Sequence, residues 1–359
     1  MIHNLEYELE GGFGEEFESD SGGLESGWAE FEIDSETPAG RVYNPPVVGD
    51  RSGFRELEVD LEEEIFPPDD RLVVTDTTKV PHRFICHVLV GLKAADGTIA
   101  TGKGSGTLIG NSHVLTTAHN LKQRVFNPSW PKPKVFTAQK ITVIPGRNTS
   151  FSNRLKWTPF GSHVAKSFAM PAKWEKPPGK PPFPATDPAF DDQSDFALIT
   201  LKTEIGKKTF SSLGGKPLGY WGSIQNGGGT LLESVDPESI RDKTVNLCGY
   251  PADKCGADPY VWPPPNPTKP GCPDPKHAGT QFGASGKVID PTPAGEPNLI
   301  YHQVDGRWGQ SGCPIWRADG LHRYLVAVYT AEDPGVRNLG MRISADVLNS
   351  LKGWGWRTS

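Results

Sequence analysis

Short apolar and β-branched runs, separated by Gly, Pro, Asn and Asp, recur from residue 83 to residue 343. Phe84-Ile85-Cys86-His87-Val88-Leu89-Val90, Val114-Leu115-Thr116, Ile141-Thr142-Val143-Ile144, Phe196-Ala197-Leu198-Ile199-Thr200-Leu201, Val245-Asn246-Leu247-Cys248 and Tyr324-Leu325-Val326-Ala327-Val328-Tyr329 are all of strand length. Their punctuation by turn formers predicts an antiparallel β architecture. One helix is predicted, at about 344–353: Ser344 caps it, Val347, Leu348 and Leu351 share an apolar face, and Gly353 ends it. Pro-rich stretches at 127–134, 171–188 and 256–276 interrupt the strands. Proline cannot donate to a central ladder, so these stretches are expected to be surface loops.

A chain of 359 residues, 36% of them hydrophobic, can bury a full core, and its length admits two domains or one double-barrel domain with an appendage. No apolar run reaches the roughly 18 residues that a membrane helix needs. Met1-Ile2-His3-Asn4-Leu5-Glu6 lacks the basic start and apolar centre of a secretory signal, so neither membrane insertion nor ordinary signal-directed export is expected.

Charge divides the chain. Residues 1–64 hold 19 of the 43 acidic side chains and 3 of the 37 basic ones, which leaves 24 acidic and 34 basic residues for 65–359, a balance of +10. The leader has too little apolar surface to offset its ordering entropy and is expected to be disordered. It reads either as a solubilising tail or as a pro-segment or delivery tag held near the basic body by electrostatics. No Lys/Arg cluster is interleaved with aromatics, which argues against a nucleic-acid partner.

The five cysteines are an odd count. Cys255 and Cys272 flank a Pro- and Gly-rich loop, where a disulfide would contribute about 3 kcal/mol. Zinc held by both with His277 is the competing idea, and it lacks a fourth ligand at standard spacing. Cys86 and Cys248 lie in strand-like runs and either pair with each other or stay as buried thiols, while Cys313 reads as a core residue.

Three stretches carry candidate chemistry: Thr116-Thr117-Ala118-His119-Asn120, Ser194-Asp195-Phe196-Ala197-Leu198-Ile199 and Trp308-Gly309-Gln310-Ser311-Gly312-Cys313-Pro314. A hydroxyl is a poor nucleophile near neutral pH, so acyl transfer needs an imidazole to take its proton and a carboxylate to hold that imidazole. Small residues before His119 let its ring turn into a cleft. Asp195 stands where loop passes into core, with Asp192 its nearest rival in sequence. Gly309 allows the backbone to aim its own N–H and that of Ser311 at one spot, as an oxyanion hole requires. The pattern is not Gly-x-Ser-x-Gly, and the chain order is not Ser, Asp, His, so an α/β-hydrolase elbow is disfavoured.

These motifs, in the order His, Asp, Ser, resemble those of trypsin-like (chymotrypsin-fold) serine peptidases, and more narrowly the bacterial glutamyl endopeptidase branch. Asp70-Arg71 followed by Thr75-Asp76-Thr77-Thr78 resembles the start of the mature enzyme in that branch, and Gly249-Tyr250-Pro251-Ala252-Asp253-Lys254 resembles its Gly-Tyr-Pro-Gly-Asp-Lys signature. The resemblance spans residues 65 to about 354. It implies an all-β fold: two six-stranded antiparallel barrels, the first at about 83–205 and the second at about 206–343, followed by the helix. The peptidase domain would be 65–359, after the leader 1–64. His119 and Asp195 would come from the first barrel and Ser311 from the second.

Processing between Glu64 and Ile65 is also implied. Trypsin pairs its new amino terminus with an aspartate just before the serine; Gln310 stands in that place, so activation must differ. Glutamate-selective relatives carry a histidine in the strand after the serine and a threonine five positions before the serine. Tyr329 and Gly306 occupy those places here. Asp305 falls where trypsin has its pocket-floor carboxylate, and Arg307 either neutralises it or receives an acidic side chain, so the cleavage preference stays open.

The expected activity is that of a serine endopeptidase acting on protein or peptide substrates, as a monomer, with no metal or organic cofactor and no nucleic-acid or membrane partner. Export would follow a route other than a signal peptide. The alternatives are a non-catalytic trypsin-fold binding module and an effector delivered by its leader. A general base must be neutral to accept a proton, so activity is expected to rise with pH through about 6.5 to 7, the ordinary histidine range. Initial rates on a peptide substrate from about pH 5 to 8 check this, and a flat profile would contradict the assignment of His119.

Overall fold

The computed structural model describes residues 4–8, 65–66, 68–125, 130, 132–150, 157–175, 192–225, 228–254, 279–333 and 337–357. Twelve strands close into two barrels of six. The first comprises β1 (Ile85–Ala94), β2 (Ile99–Leu108), β3 (His113–Thr116), β4 (Lys134–Pro145), β5 (His163–Pro171) and β6 (Ala197–Leu201). The second comprises β7 (Thr244–Gly249), β8 (Phe282–Asp290), β9 (Leu299–His302), β10 (Pro314–Asp319), β11 (His322–Asp333) and β12 (Arg337–Arg342).

Around the first ring the order is β1-β2-β3-β6-β5-β4, with β4 returning to β1, and every pairing is antiparallel. Around the second it is β7-β8-β9-β12-β11-β10, with β10 returning to β7, again all antiparallel. The two rings share one topology, although no repeat is visible in the residues. Closure pairs the strands around both rings and leaves only short stretches of edge for edge-to-edge association.

Alternation builds the walls. Along β5, Val164 and Lys166 face solvent while His163, Ala165 and Ser167 are buried. Tight hairpins join neighbours: between β1 and β2 the amide of Gly97 donates to Ala94 O (2.9 Å), with Gly97 at φ +87°, a left-handed turn that glycine adopts without strain.

The barrels share a core. Trp221, fully buried in the connection between them, donates from its indole to Thr107 Oγ1 of β2 (2.7 Å), and its ring lies 6.2 Å from that of Trp316 in β10. Truncation of such a side chain to alanine costs about 3–5 kcal/mol. The helix α1 (Ala345–Gly353) follows as expected. Ser344 Oγ accepts the Val347 amide at 3.3 Å, and Val347, Leu348 and Leu351 are buried. Beyond it Trp356 donates to Ile109 O (2.6 Å), so the tail of the second half clasps the first barrel.

Within the stretch expected to be a disordered leader, Asn4–Glu8 forms a strand that pairs antiparallel with β5, from Asn4 opposite Pro171 to Glu8 opposite Ser167. That part of β5 lies beyond its short pairing with β4, where a backbone edge is available. The possible Cys86–Cys248 pairing does not form: both are buried thiols outside any disulfide, as is Cys313, and burial pushes the first two well above the ordinary cysteine range. Cys255, Cys272 and His277 lie outside the described residues, as do most of the Pro-rich loops. No helix among the described residues is long and apolar enough to cross a membrane.

Candidate active site

The register of the first barrel brings His119 and Asp195 together. Thr116, the last residue of β3, pairs with Ala197, the first of β6, so the residues just past one strand and just before the other emerge at the same end. His119 Nδ1 lies 2.7 Å from Asp195 Oδ2, and the His119 backbone amide donates to Asp195 Oδ1 at 3.0 Å. Both residues are buried, 8% and 4% exposed, so this carboxylate is a desolvated acceptor with two donors. The pairing assigns the ring proton to Nδ1 and leaves Nε2 as an acceptor, with Thr117 Oγ1 3.5 Å away. Asp192 opens the short 3-10 turn Asp192–Ser194 that precedes Asp195.

Ser311 enters from the second barrel, on the turn that leads into β10. Glycines in left-handed conformations flank it, Gly309 at φ +83° and Gly312 at φ +87°. A methyl group on Gly309 would fall well inside van der Waals contact of Tyr250 O, and one on Gly312 would meet Ser105 O and Thr116 Oγ1 in the same way. The turn is therefore pressed between the Tyr250–Ala252 loop and the first barrel.

Hydrogen bonds hold it there. The Ser105 amide donates to Ser311 O (2.9 Å), and Ser105 Oγ donates to Gly309 O (2.6 Å) while accepting the Tyr250 amide (2.9 Å). Asn120, next to His119, donates from Nδ2 to Ser311 O at 2.9 Å. Ala252 N donates to Trp308 O (2.6 Å), and Gly312 N donates to Tyr329 O (2.7 Å). The histidine loop and the serine turn are thus joined through the backbone of Ser311 itself. Ser311 is 5% exposed.

The residues suggested for the specificity pocket divide. Tyr329 lies against Gly306, where a methyl group would overlap its ring, and its hydroxyl donates to Asn338 Oδ1 (3.2 Å). Asn338 in turn donates to Val304 O at 2.8 Å. His302 stacks obliquely on Tyr329 with ring centres 5.8 Å apart, and burial pushes its pKa down to about 3. The Arg307 guanidinium lies 5.9 Å from the centre of the Trp308 ring.

Asp305 is 3% exposed, and its carboxylate accepts amides of its own chain, Phe66 N at 2.8 Å and Asp70 N at 3.0 Å. Burial, with Asp70 nearby, raises its pKa against the pull of those two amides. Of the suggested processing pair, Ile65 immediately precedes this docked segment and Glu64 lies outside the described residues.

Sequence reasoning overlooked Ser105 and Asn120. A signal for them existed: Gly104 and Gly106 bracket Ser105, and a methyl group on Gly104 would sit 2.5 Å from the Asn120 side chain, so Gly104 makes room for Asn120. Arg71 carried no signal in the sequence beyond its place in the Asp70-Arg71 motif. No group of three or more His, Cys, Asp or Glu that could hold a metal ion occurs among the described residues. Replacing Ser105 with alanine would orphan the buried Tyr250 amide and Gly309 carbonyl, so Ser105→Ala is expected to lower stability by about 2–4 kcal/mol in denaturant titration. A loss below about 0.5 kcal/mol would show that the hydroxyl is no bridge.

No family model matches the chain. The chain is 25% identical over 294 residues to a glutamyl endopeptidase of Bacillus licheniformis, an alignment covering 80% of this chain and 67% of that protein. Among solved structures it is similar to a Glu endopeptidase (20% identity, 79% of this chain and 95% of that one, TM-score 0.48). It is also similar to the protease Anisep of Arthrobacter nicotinovorans (15% identity, 76% and 94%, TM-score 0.44). The double barrel is the chymotrypsin fold, and the sequence similarity to the Bacillus protein is to a peptidase of the trypsin-like serine class.

Proposed function

We propose that the chain is a serine endopeptidase that cleaves peptide bonds through an acyl-enzyme, with Ser311 as nucleophile, His119 as general base and then acid, and Asp195 as the orienting carboxylate. The observation that carries this is the buried His119–Asp195 pair, 2.7 Å at the ring and 3.0 Å at the backbone, set beside a serine turn bonded to the neighbouring Asn120. As Ser311 Oγ attacks the substrate carbonyl carbon, its proton passes to His119 Nε2. The electron pair of the carbonyl moves onto oxygen, where the amides of Gly309 and Ser311 would stabilise it. One such donor is worth about 3 kcal/mol. The left-handed φ of Gly309 supports that assignment.

The proton on His119 then goes to the departing amine as the C–N bond breaks, leaving an ester on Ser311. Water, deprotonated by the same ring, hydrolyses it and returns the proton to the serine. Asp195 stays ionised throughout and keeps the ring in one tautomer.

The glutamyl preference named for the Bacillus relative does not transfer with the fold, because Tyr329 and Gly306 stand where that branch carries histidine and threonine. Removal of the leader after Glu64 belongs to the same proposal: it would free an amino terminus one residue before Phe66, whose amide is bonded to Asp305. Sequencing the amino terminus of active protein should read Ile65, and full activity with residues 1–64 attached would argue against it.

A fluorophosphonate probe should label the wild-type chain and fail to label Ser311→Ala. Asp195→Asn should lower kcat by about four orders of magnitude, since the ring would then be held in the wrong tautomer. Wild-type protein that resists the probe and cleaves no protein or peptide substrate would favour a non-catalytic binding module instead.

A further inference from the structure

The side chain of Arg71 is 0% exposed, yet nothing in the triad chemistry uses it. Its Nε and Nη2 donate to Asp69 at 3.0 and 2.9 Å, and its Nη1 donates to Asp253 Oδ1 at 2.9 Å, with Nη2 on the second oxygen of Asp253. Nη1 also reaches Gln310 Oε1 at 3.3 Å. Lys254 Nζ donates to Asp69 at 2.6 Å, so the two cations and two carboxylates balance. Burial works against the charge on Arg71, but the bonds to Asp253 and Asp69 outweigh it and hold the guanidinium protonated.

Two of the partners belong to the serine turn or to the loop behind it. Gln310 is the residue between Gly309 and Ser311; fully buried, it points away from the cleft, with Oε1 also accepting the Arg307 amide (3.1 Å) and Nε2 donating to Phe282 O (3.3 Å). Asp253 ends the Tyr250–Asp253 loop, which backs Gly309 and bonds Trp308 O through Ala252. The segment bearing Arg71 is itself pinned to the start of the same turn, through the Phe66 and Asp70 amides on Asp305.

We propose that Arg71 is a positioning residue for the oxyanion turn: docked with residues 66–70, it holds Gln310 from inside and the Tyr250–Asp253 loop from behind, so that the Gly309 and Ser311 amides keep their aim. This rests on the serine-peptidase reading and adds what shapes its oxyanion hole. Misplacement of such donors weakens the transition state more than the substrate complex, so the effect falls on kcat rather than KM. A lysine keeps the charge but not the planar fork that serves Asp69, Asp253 and Gln310 together.

The test measures kcat and KM on a peptide substrate, per probe-titrated site, for wild type produced as the full chain and processed to Ile65, and likewise for Arg71→Met, Arg71→Lys, Gln310→Met and the double variant Arg71→Met with Gln310→Met, alongside melting temperatures. Arg71→Met is expected to lose about 100-fold in kcat with KM within about threefold, and Arg71→Lys to recover less than a tenth of the loss. The double variant should lose less than the product of the single losses. Should Arg71→Met fail to fold, Asp253→Asn, which keeps the cation and one acceptor, is expected to give the same kcat-weighted loss. A folded Arg71→Met or Asp253→Asn with kcat per titrated site within about threefold of wild type overturns the inference while leaving the peptidase reading intact. A wild-type chain that neither labels nor cleaves sinks the peptidase reading itself.

Discussion

Ser105 lies where the two barrels touch, and its amide and hydroxyl are both engaged by the second barrel: its N–H by Ser311 O, its Oγ by Gly309 O and the Tyr250 amide. Such a dry polar seam tolerates no slack, because every donor or acceptor left unpaired there incurs its full desolvation penalty. It also tolerates no side chain. Gly312 lets its backbone reach the first barrel, where a methyl group would strike Ser105 O and Thr116 Oγ1, and a methyl group on Gly249 would strike Ser105 Oγ. The relation between the serine turn and the histidine loop is a consequence of that approach.

Two charged clusters flank the seam. On one side Asp195 faces His119; on the other Arg71 and Lys254 face Asp69 and Asp253. Burying charge is unfavourable unless partners and geometry are well matched, so neither cluster is a large source of net stability. What they provide is definition: a carboxylate with two fixed donors, or a guanidinium with three fixed acceptors, has few alternative arrangements. Gln310 links the second cluster to the turn without adding a charge of its own.

Local patterns carried a good part of this into the residue string. The strands around Val88, Leu115, Val143, Leu198, Leu247 and Val326 and the helix capped by Ser344 were legible, because period-2 apolar runs and a capping serine are local signals. β8, with Gly283, Gly286 and Ser285, was not, since its strand conformation comes from its neighbours rather than from its own propensity. The strand at Asn4–Glu8 was missed for the same reason: a free stretch of β5 supplies its partner. The duplicated topology left no trace in the residues, because many sequences satisfy one alternating pattern.

The chain by itself determined the β character, the acidic leader and basic body, and three short contexts that singled out His119, Asp195 and Ser311. Each of these depends on residues a few positions apart. Tertiary structure alone decided that Ser105 bridges to Gly309 204 positions away, that Asn120 reaches Ser311 across 191, and that Arg71 reaches Gln310 across 239. It also made Asp305 the acceptor for the segment that carries Arg71. The physical reason is range: propensity and periodicity act over a turn or a strand, whereas desolvated polar contacts between barrels exist only once both have closed and excluded water.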